Sequence, residues 1–280
     1  MRSETPPPLA LSRDEALRRA PFPLEVVPSV AELHRRFVRQ VLDELRAASA
    51  AGRTLRLTLP VGPFDYAMLA DAANQERVSW RHVVLYPIDE FALPDGQVIP
   101  PEHPWSLRSH LTATLLDRLD PALAPAEPPR WLTPDTLATI SAELVRAPLD
   151  LAFFGFGIDG HVAMNCPEPA LSVEQFRAVG ARHVHLSRET ITQIAMGGAG
   201  GDLEAAPPCG LTLGMRELLG ARALRIFLMR TWQPAVMRRA FFGPVTAACP
   251  ASLVQTHTDV RATIVSYVAE APWHETTQRP

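Results

Sequence analysis

The stretch DLAFFGFGIDGHVAMN, residues 150–165, points to the fold in its first half and to a candidate site in its second. Residues 150–156 are a nearly continuous apolar run of strand length. A strand with one wet face alternates apolar and polar residues, so an unbroken run indicates a strand covered on both sides, as in parallel sheets. Working outward, LRLTL at 55–59 stops at Pro60, HVVLYPI spans 82–88, ALRIFLM spans 223–229 and VRATIVSYV spans 260–268. Between these runs the apolar period changes. Ser29 is a candidate N-cap, and Val30, Leu33, Phe37, Val41 and Leu45 recur at helical spacing through residue 48. Further helices are expected over 65–76, 105–118, 134–146 and 233–241.

Strands that alternate with helices predict an α/β protein with a mostly parallel, doubly wound sheet covered on both faces. Neither a repeat period nor a linker divides the chain, so one domain is expected over residues 23–270. Residues 1–22, with Pro6, Pro7, Pro8 and Pro21, read as an extended proline-rich lead-in, and residues 271–280 as a polar tail. In such sheets ligands lie beyond the carboxyl ends of the strands. The loops after Leu59, Ile88, Phe156 and Met229 are therefore the places to look.

Composition removes several kinds of chemistry. The 27 basic side chains are all arginine. Without lysine there is no internal Schiff base to a sugar or to pyridoxal phosphate, and no Walker-type phosphate lysine. A net charge of -3 with no basic tract gives no footprint for nucleic acid. Arg18-Arg19, Arg35-Arg36 and Arg238-Arg239 are isolated pairs, expected on solvated helix faces. No window approaches 18 uncharged apolar residues, and the N-terminus lacks the apolar run of a signal peptide, so no membrane association and a cytoplasmic location are expected. Cys166, Cys209 and Cys249 are too few and too scattered for a disulfide framework or a metal site, and each reads as a small buried residue.

Two of the loops carry ionisable groups. Asp89 and Glu90 follow the strand at 82–88, where a carboxylate partly removed from water can take a proton from a carbon next to a carbonyl. On its own, an adjacent acid pair more often caps a helix or pairs with an arginine. In GFGIDGHVAMN, Gly155, Gly157 and Gly160 permit a tight turn and a close approach of backbone to ligand. Asp159 and His161 stand two apart in it, an arrangement suited to a carboxylate-oriented imidazole that shuttles protons.

The segments IDEF, EHPWSLRSHL, GFGIDGHVAMN, LTLGMRELLGA and GPVTAACPASLVQTH occur in the order and spacing of the glucosamine-6-phosphate deaminase/6-phosphogluconolactonase family. The resemblance extends from about residue 25 to 268, and IDEF and HVAMN are similar to the deaminase branch. It implies a three-layer α/β sandwich and a small-molecule sugar as substrate. It also implies a catalytic trio in which Asp89 moves a proton between C2 and C1 of the open sugar, while His161, with Asp159, opens the ring. Gly62, Glu90, Gly157, Gly160 and Asn165 are implied as substrate-binding. No metal or organic cofactor is implied, and a homo-oligomer is compatible with the resemblance.

The chain departs from the family where a phosphate would bind. A glutamate that follows the loop asparagine is replaced by Cys166, with Glu168 two residues later. The first loop reads PVGPFDY rather than a Thr-Gly-Gly-Thr variant, and Pro63 removes a donor while Asp65 adds a negative charge. The family lysine falls on Gln233. Each lost charge-assisted contact costs on the order of 1.5–3 kcal/mol. Arg188 and Arg230 lie close in sequence to the missing ligands and are the candidates to restore a bidentate clamp. The leading expectation is an amino-sugar isomerase-deaminase whose substrate need not be phosphorylated. A sugar-lactone hydrolase and a sugar-binding protein without catalysis are the alternatives.

Overall fold

The computed structural model describes residues 8–272. In chain order the elements are α1 (Arg13–Arg19), β1 (Leu24–Val27), α2 (Val30–Ala50), β2 (Leu55–Leu59), α3 (Tyr66–Gln75), β3 (Val83–Pro87), β4 (Asp89–Ala92), α4 (Leu107–Thr114) and α5 (Leu137–Arg146). They continue with β5 (Leu151–Phe154), α6 (Val173–Arg177), β6 (Arg182–His185), α7 (Arg188–Gly198), β7 (Cys209–Thr212), α8 (Met215–Leu219), β8 (Ala223–Leu228), α9 (Gln233–Phe242), β9 (Val260–Val265) and α10 (Ser266–Ala269). Six strands form one sheet in the order β1-β9-β8-β5-β2-β3, and every neighbouring pair is parallel.

The apolar runs are explained by burial on both faces. In β5, Leu151 and Phe153 point into one core layer with α2 and α3, while Ala152 and Phe154 point into the other with α5, α8 and α9. In β8, Ala223 and Phe227 join the first layer and Leu224, Ile226 and Leu228 the second. Successive side chains of a strand face opposite sides, so a strand between two helical layers needs apolar residues at every position. This is the expected single-domain three-layer α/β sandwich. The sheet order reverses at β2, with β3 on one side and β5 on the other, so the crevice beyond these carboxyl ends is the switch point where such folds bind ligands.

Several expectations are corrected. The strand foreseen over 260–268 ends at Val265, and Ser266 begins a short helix. The helix foreseen over 105–118 divides into α4 and a 3-10 turn, Leu116–Arg118. Residues 13–19 of the lead-in are helical, because Ser12 and Glu15 form a reciprocal capping box. The proline run at 6–7 and most of the tail lie outside the described residues. Arg238 is fully buried rather than solvated. Its guanidinium donates to the carbonyls of Leu11 (3.0 Å), Ala269 (2.8 Å) and Glu270 (2.7 Å), so it pins both ends of the domain to α9. Cys209 is buried as expected, whereas Cys166 and Cys249 are half-buried.

A second sheet, with antiparallel order β4-β7-β6, was not foreseen. Its strands are four residues each, and two of them lack a long apolar run. It stands at the carboxyl end of β3 and carries Asp89 at its edge position opposite Thr212.

Candidate active site

Asp89 opens β4 directly after the chain leaves the main sheet through Ile88. It keeps partial access to solvent. Loss of solvation, followed by the charge of the adjacent Glu90, pushes its pKa up to about 8. Glu90 faces the other side of the strand and is buried. Its carboxylate accepts the backbone N–H groups of Phe91 (2.8 Å), Leu107 (3.0 Å) and Arg108 (2.7 Å). Burial raises the Glu90 carboxyl, and these three donors offset part of the rise. The assignment of Glu90 to substrate is therefore corrected: it anchors the N-terminus of α4, where orphan N–H groups and the helix dipole favour an anion.

The loop after β5 is shaped around the imidazole of His161. Gly157 N–H donates to His161 O (3.0 Å), and a Cβ on Gly157 would lie 1.8 Å from His161 Cε1. Gly160 has φ +92°, and a Cβ there would lie 2.8 Å from Cys249 Sγ. Both glycines are thus required by close approach, with left-handed backbone as a second reason at Gly160. Asp159 Oδ1 accepts His161 N–H (3.0 Å) and lies 2.6 Å from His161 Nδ1. Burial alone would raise the Asp159 carboxyl. The His161 ring, the Ser187 hydroxyl and the His161 amide outweigh it and hold Asp159 well below the usual carboxylate range. Nδ1 is so engaged, and Nε2 makes no hydrogen bond among the described residues.

Asn165 is fully buried, and its amide is used within the protein. Nδ2 donates to Val162 O (3.0 Å) and Leu213 O (2.8 Å), and Oδ1 accepts from Arg182 Nη1 (2.6 Å). Its expected role as a substrate ligand is corrected to that of a bridge. Leu213 follows Thr212, the partner of Asp89 in the small sheet, so Asn165 ties the His161 loop to the strand that stands beside Asp89. Glu168 does not reach His161; it pairs with Arg182 Nη2 at 3.2 Å. Cys166 Sγ instead lies 3.6 Å from Thr190 Oγ1.

The loop after β2 leaves little for an anion. Gly62 is exposed, and a Cβ there would meet nothing within 4 Å. The N-terminus of α3 already holds the chain's own carboxylate, because Asp65 Oδ1 accepts Met68 N–H at 2.8 Å. A cleft of about 290 Å³ opens beside this loop, lined by His34, Pro63, Phe64, Asp65, His110 and Thr114 among others. Tyr66 also lines it, and its buried phenol is raised by desolvation and then by the Asp89 charge. Gln233 is buried and engaged at both ends of its amide: Oε1 accepts Arg230 N–H (2.8 Å) and Nε2 donates to Phe156 O (2.9 Å). Arg188, the first residue of α7, and Arg230, after β8, are both exposed, and neither side chain makes an ion pair among the described residues.

Ser187, Thr190 and Arg182 were missed from the sequence. LSRET carries the signature of an N-cap, but nothing in it indicates that the capped end of α7 faces Asp159. Among the described residues no group of three or more His, Cys, Asp or Glu side chains is arranged to hold a metal ion, and no helix is long and apolar enough to cross a membrane.

Known proteins share both sequence and architecture with this chain. A profile of the glucosamine-6-phosphate isomerases/6-phosphogluconolactonase family matches residues 28–263. Glucosamine-6-phosphate deaminases of Yersinia pestis and Yersinia pseudotuberculosis are 29% identical over 242 residues, covering 82% of this chain and 85% of theirs. Among solved structures, a monomeric glucosamine-6-phosphate deaminase superposes with a TM-score of 0.73 at 17% identity, covering 89% of this chain and 99% of that one. A 6-phosphogluconolactonase from Shewanella baltica superposes with a TM-score of 0.64 at 16% identity, covering 88% and 98%. These structural likenesses establish the fold, and the profile match over most of the length establishes kinship. The chain belongs to the glucosamine-6-phosphate isomerase/6-phosphogluconolactonase family, whose members act on sugar phosphates as isomerase-deaminases or lactone hydrolases.

Proposed function

We propose that the protein is an amino-sugar isomerase-deaminase whose preferred substrate carries no phosphate. One observation supports the chemistry above the others: a carboxyl group with its pKa near neutrality, Asp89, stands beside the strand end that Asn165 ties to the loop of an oriented imidazole, His161. A base of this strength is matched to removing a proton from a carbon next to a carbonyl at ordinary pH. His161 Nε2 takes the proton of the anomeric hydroxyl and passes it to the ring oxygen, which opens the ring. Asp89 then takes the C2 proton of the open aldose and returns it to C1 through the enol form. The nitrogen at C2 is left as an imine, and water replaces it to give a ketose and ammonia.

The absence of phosphate recognition rests on the loop after β2 and on Gln233. Asp65 fills the helix N-terminus that would receive an anion, and it would repel a phosphate. Gln233 spends both ends of its amide on backbone groups. The test is a substrate panel in which ammonia release and ketose formation are followed with glucosamine, other 2-amino sugars and their 6-phosphates. The expected result is ammonia release with kcat/KM for an unphosphorylated amino sugar above that for its phosphate. Activity confined to phosphorylated sugars would overturn the specificity, and hydrolysis of sugar lactones without ammonia release from any amino sugar would overturn the reaction.

A further inference from the structure

Ser187 and Thr190 form a hydroxyl pair at the N-terminus of α7 that converges on the Asp159–His161 couple. Ser187 Oγ lies 2.7 Å from Asp159 Oδ2 and 2.9 Å from Thr190 Oγ1, and it accepts Thr190 N–H at 3.0 Å as the helix cap. Thr190 is 2% exposed. Its Oγ1 lies 2.9 Å from His161 Nδ1 and 3.2 Å from Asp159 Oδ2.

One arrangement of the available hydrogens gives every donor an acceptor and directs all of them to Asp159. Each hydroxyl has one proton and a neutral imidazole has one. If His161 Nδ1 carries the ring proton, it donates to Asp159 Oδ1 and leans on the lone pair of Thr190 Oγ1. Both hydroxyl protons then go to Asp159 Oδ2. Asp159 receives four donors in all: the ring N–H, the His161 amide and the two hydroxyls. If the ring proton were on Nε2, two unprotonated atoms, Nδ1 and the anionic Oδ1, would face each other at 2.6 Å, which is repulsive.

We infer that Ser187 and Thr190 are positioning residues that fix Asp159 as an anion on Nδ1, so that His161 presents an unprotonated Nε2 as the base of the reaction. The inference rests on the proposed role of His161 for its kinetic consequence, while the tautomer stands apart from any substrate. The surrounding titratable groups are Asp159 on the same loop, the Cys166 thiol across Thr190, and the Cys249 thiol against Gly160.

The experiment uses ¹⁵N-histidine-labelled full-length protein together with Thr190→Val, Thr190→Ser and Ser187→Thr. Thr190→Val keeps the buried volume and removes the hydroxyl; Thr190→Ser restores a hydroxyl; Ser187→Thr keeps both the cap and the donor. In the unmodified protein the neutral His161 ring is expected to be the Nδ1–H tautomer, with hydrogen-bonded shifts. Thr190→Val is expected to lose the second Nδ1 contact in those shifts and to lower kcat about 10- to 100-fold, the scale on which outer partners of functional imidazoles act, with KM within twofold. Thr190→Ser and Ser187→Thr should retain the tautomer and most of kcat. An Nε2–H tautomer in the unmodified protein overturns the inference. So does a Thr190→Val protein with unchanged shifts, or one whose loss tracks thermal stability and is not rescued by serine. If no amino sugar is turned over, the proposed function fails while the tautomer and the shifts still decide this inference.

Discussion

Replacing Asp89 by asparagine separates what the carboxyl does for chemistry from what it does to stability. The folded protein holds this group at a pKa of about 8 against an ordinary value of 3.8. A raised carboxyl is a stability cost in its ionised form. The cost is absent below the unfolded value, near pH 4. It grows as pH rises towards the folded value and is complete above about pH 8. At about 1.4 kcal/mol per unit, the span to pH 7 corresponds to a ceiling of about 4 kcal/mol, and partial solvent access scales this to roughly 2 kcal/mol. Asp89→Asn removes the ionisation and also relieves its repulsion of Glu90. The variant should therefore melt about 4–8 °C higher than the parent at pH 7 and within about 1 °C of it at pH 4. The same substitution should abolish ammonia release, and in the parent kcat/KM should climb with pH through about 8 as Asp89 loses its proton. Differential scanning calorimetry of both proteins between pH 4 and 9 measures the first effect. A stability difference that does not change with pH, or an asparagine variant that is less stable at pH 8, would refute the reasoning. A fully active Asp89→Asn protein would refute the catalytic assignment.

The other expectations follow from individual contacts. Gly157→Ala places a methyl 1.8 Å from His161 Cε1, so the ring must swing away; turnover should fall about 100-fold with the fold retained by circular dichroism. Asn165→Leu leaves the Arg182 guanidinium and two carbonyls short of partners, and urea unfolding should report a loss of about 2–3 kcal/mol. Arg238→Met should cost about 3–5 kcal/mol in the same assay, because the carbonyls of Leu11, Ala269 and Glu270 lose a buried donor together. Asp65→Ser keeps a cap on α3 while removing its charge. Inhibition by inorganic phosphate should strengthen severalfold relative to the parent, with stability changed by less than about 1 kcal/mol.

What the sequence disclosed and what it hid have a common physical cause. The main sheet was legible because strands between two helical layers are apolar at nearly every position; LAFF is written that way throughout, and ALRIFL everywhere but Arg225, which pairs with Asp259. The small sheet was hidden because β4 and β6, reading DEFA and RHVH, are short and polar and owe their pairing to β7 rather than to a periodicity of their own. Asp159 and His161 were legible because a carboxylate and an imidazole two residues apart on a glycine loop can reach each other locally. Ser187 and Thr190 lie some thirty residues away and reach the same site only through tertiary packing, which no local spacing records. Glu90 and Asn165 misled for the opposite reason. Their residue types suit a sugar, but their polar atoms are engaged by backbone groups and, at Asn165 Oδ1, by the Arg182 guanidinium, and only the folded chain shows that demand.

The missing lysine is where composition and site meet. An arginine-only chain excludes an imine formed with the protein, yet it places no restriction on an enzyme that removes the C2 proton with a carboxylate and leaves the imine on the sugar's own nitrogen. Nor does it compel a glutamine at position 233, since arginine supplies the positive charge everywhere else in the chain. Gln233 instead joins the turn after β8 to the turn after β5 by two neutral hydrogen bonds, one at each end of its amide. A guanidinium has no acceptor to offer Arg230 N–H, so arginine there would break one of the two bonds and place a charge in a buried position. Position 233, where the family resemblance places a lysine, is thus part of the frame that holds the Phe156–Gly157 turn on which His161 rests. Restoring a cation at 233 should therefore lower turnover through the His161 loop before it raises affinity for any phosphate. Gln233→Arg tests this directly: a gain in phosphate inhibition with unchanged turnover would show that the frame is independent of the site, whereas loss of turnover without that gain is the outcome the two hydrogen bonds require.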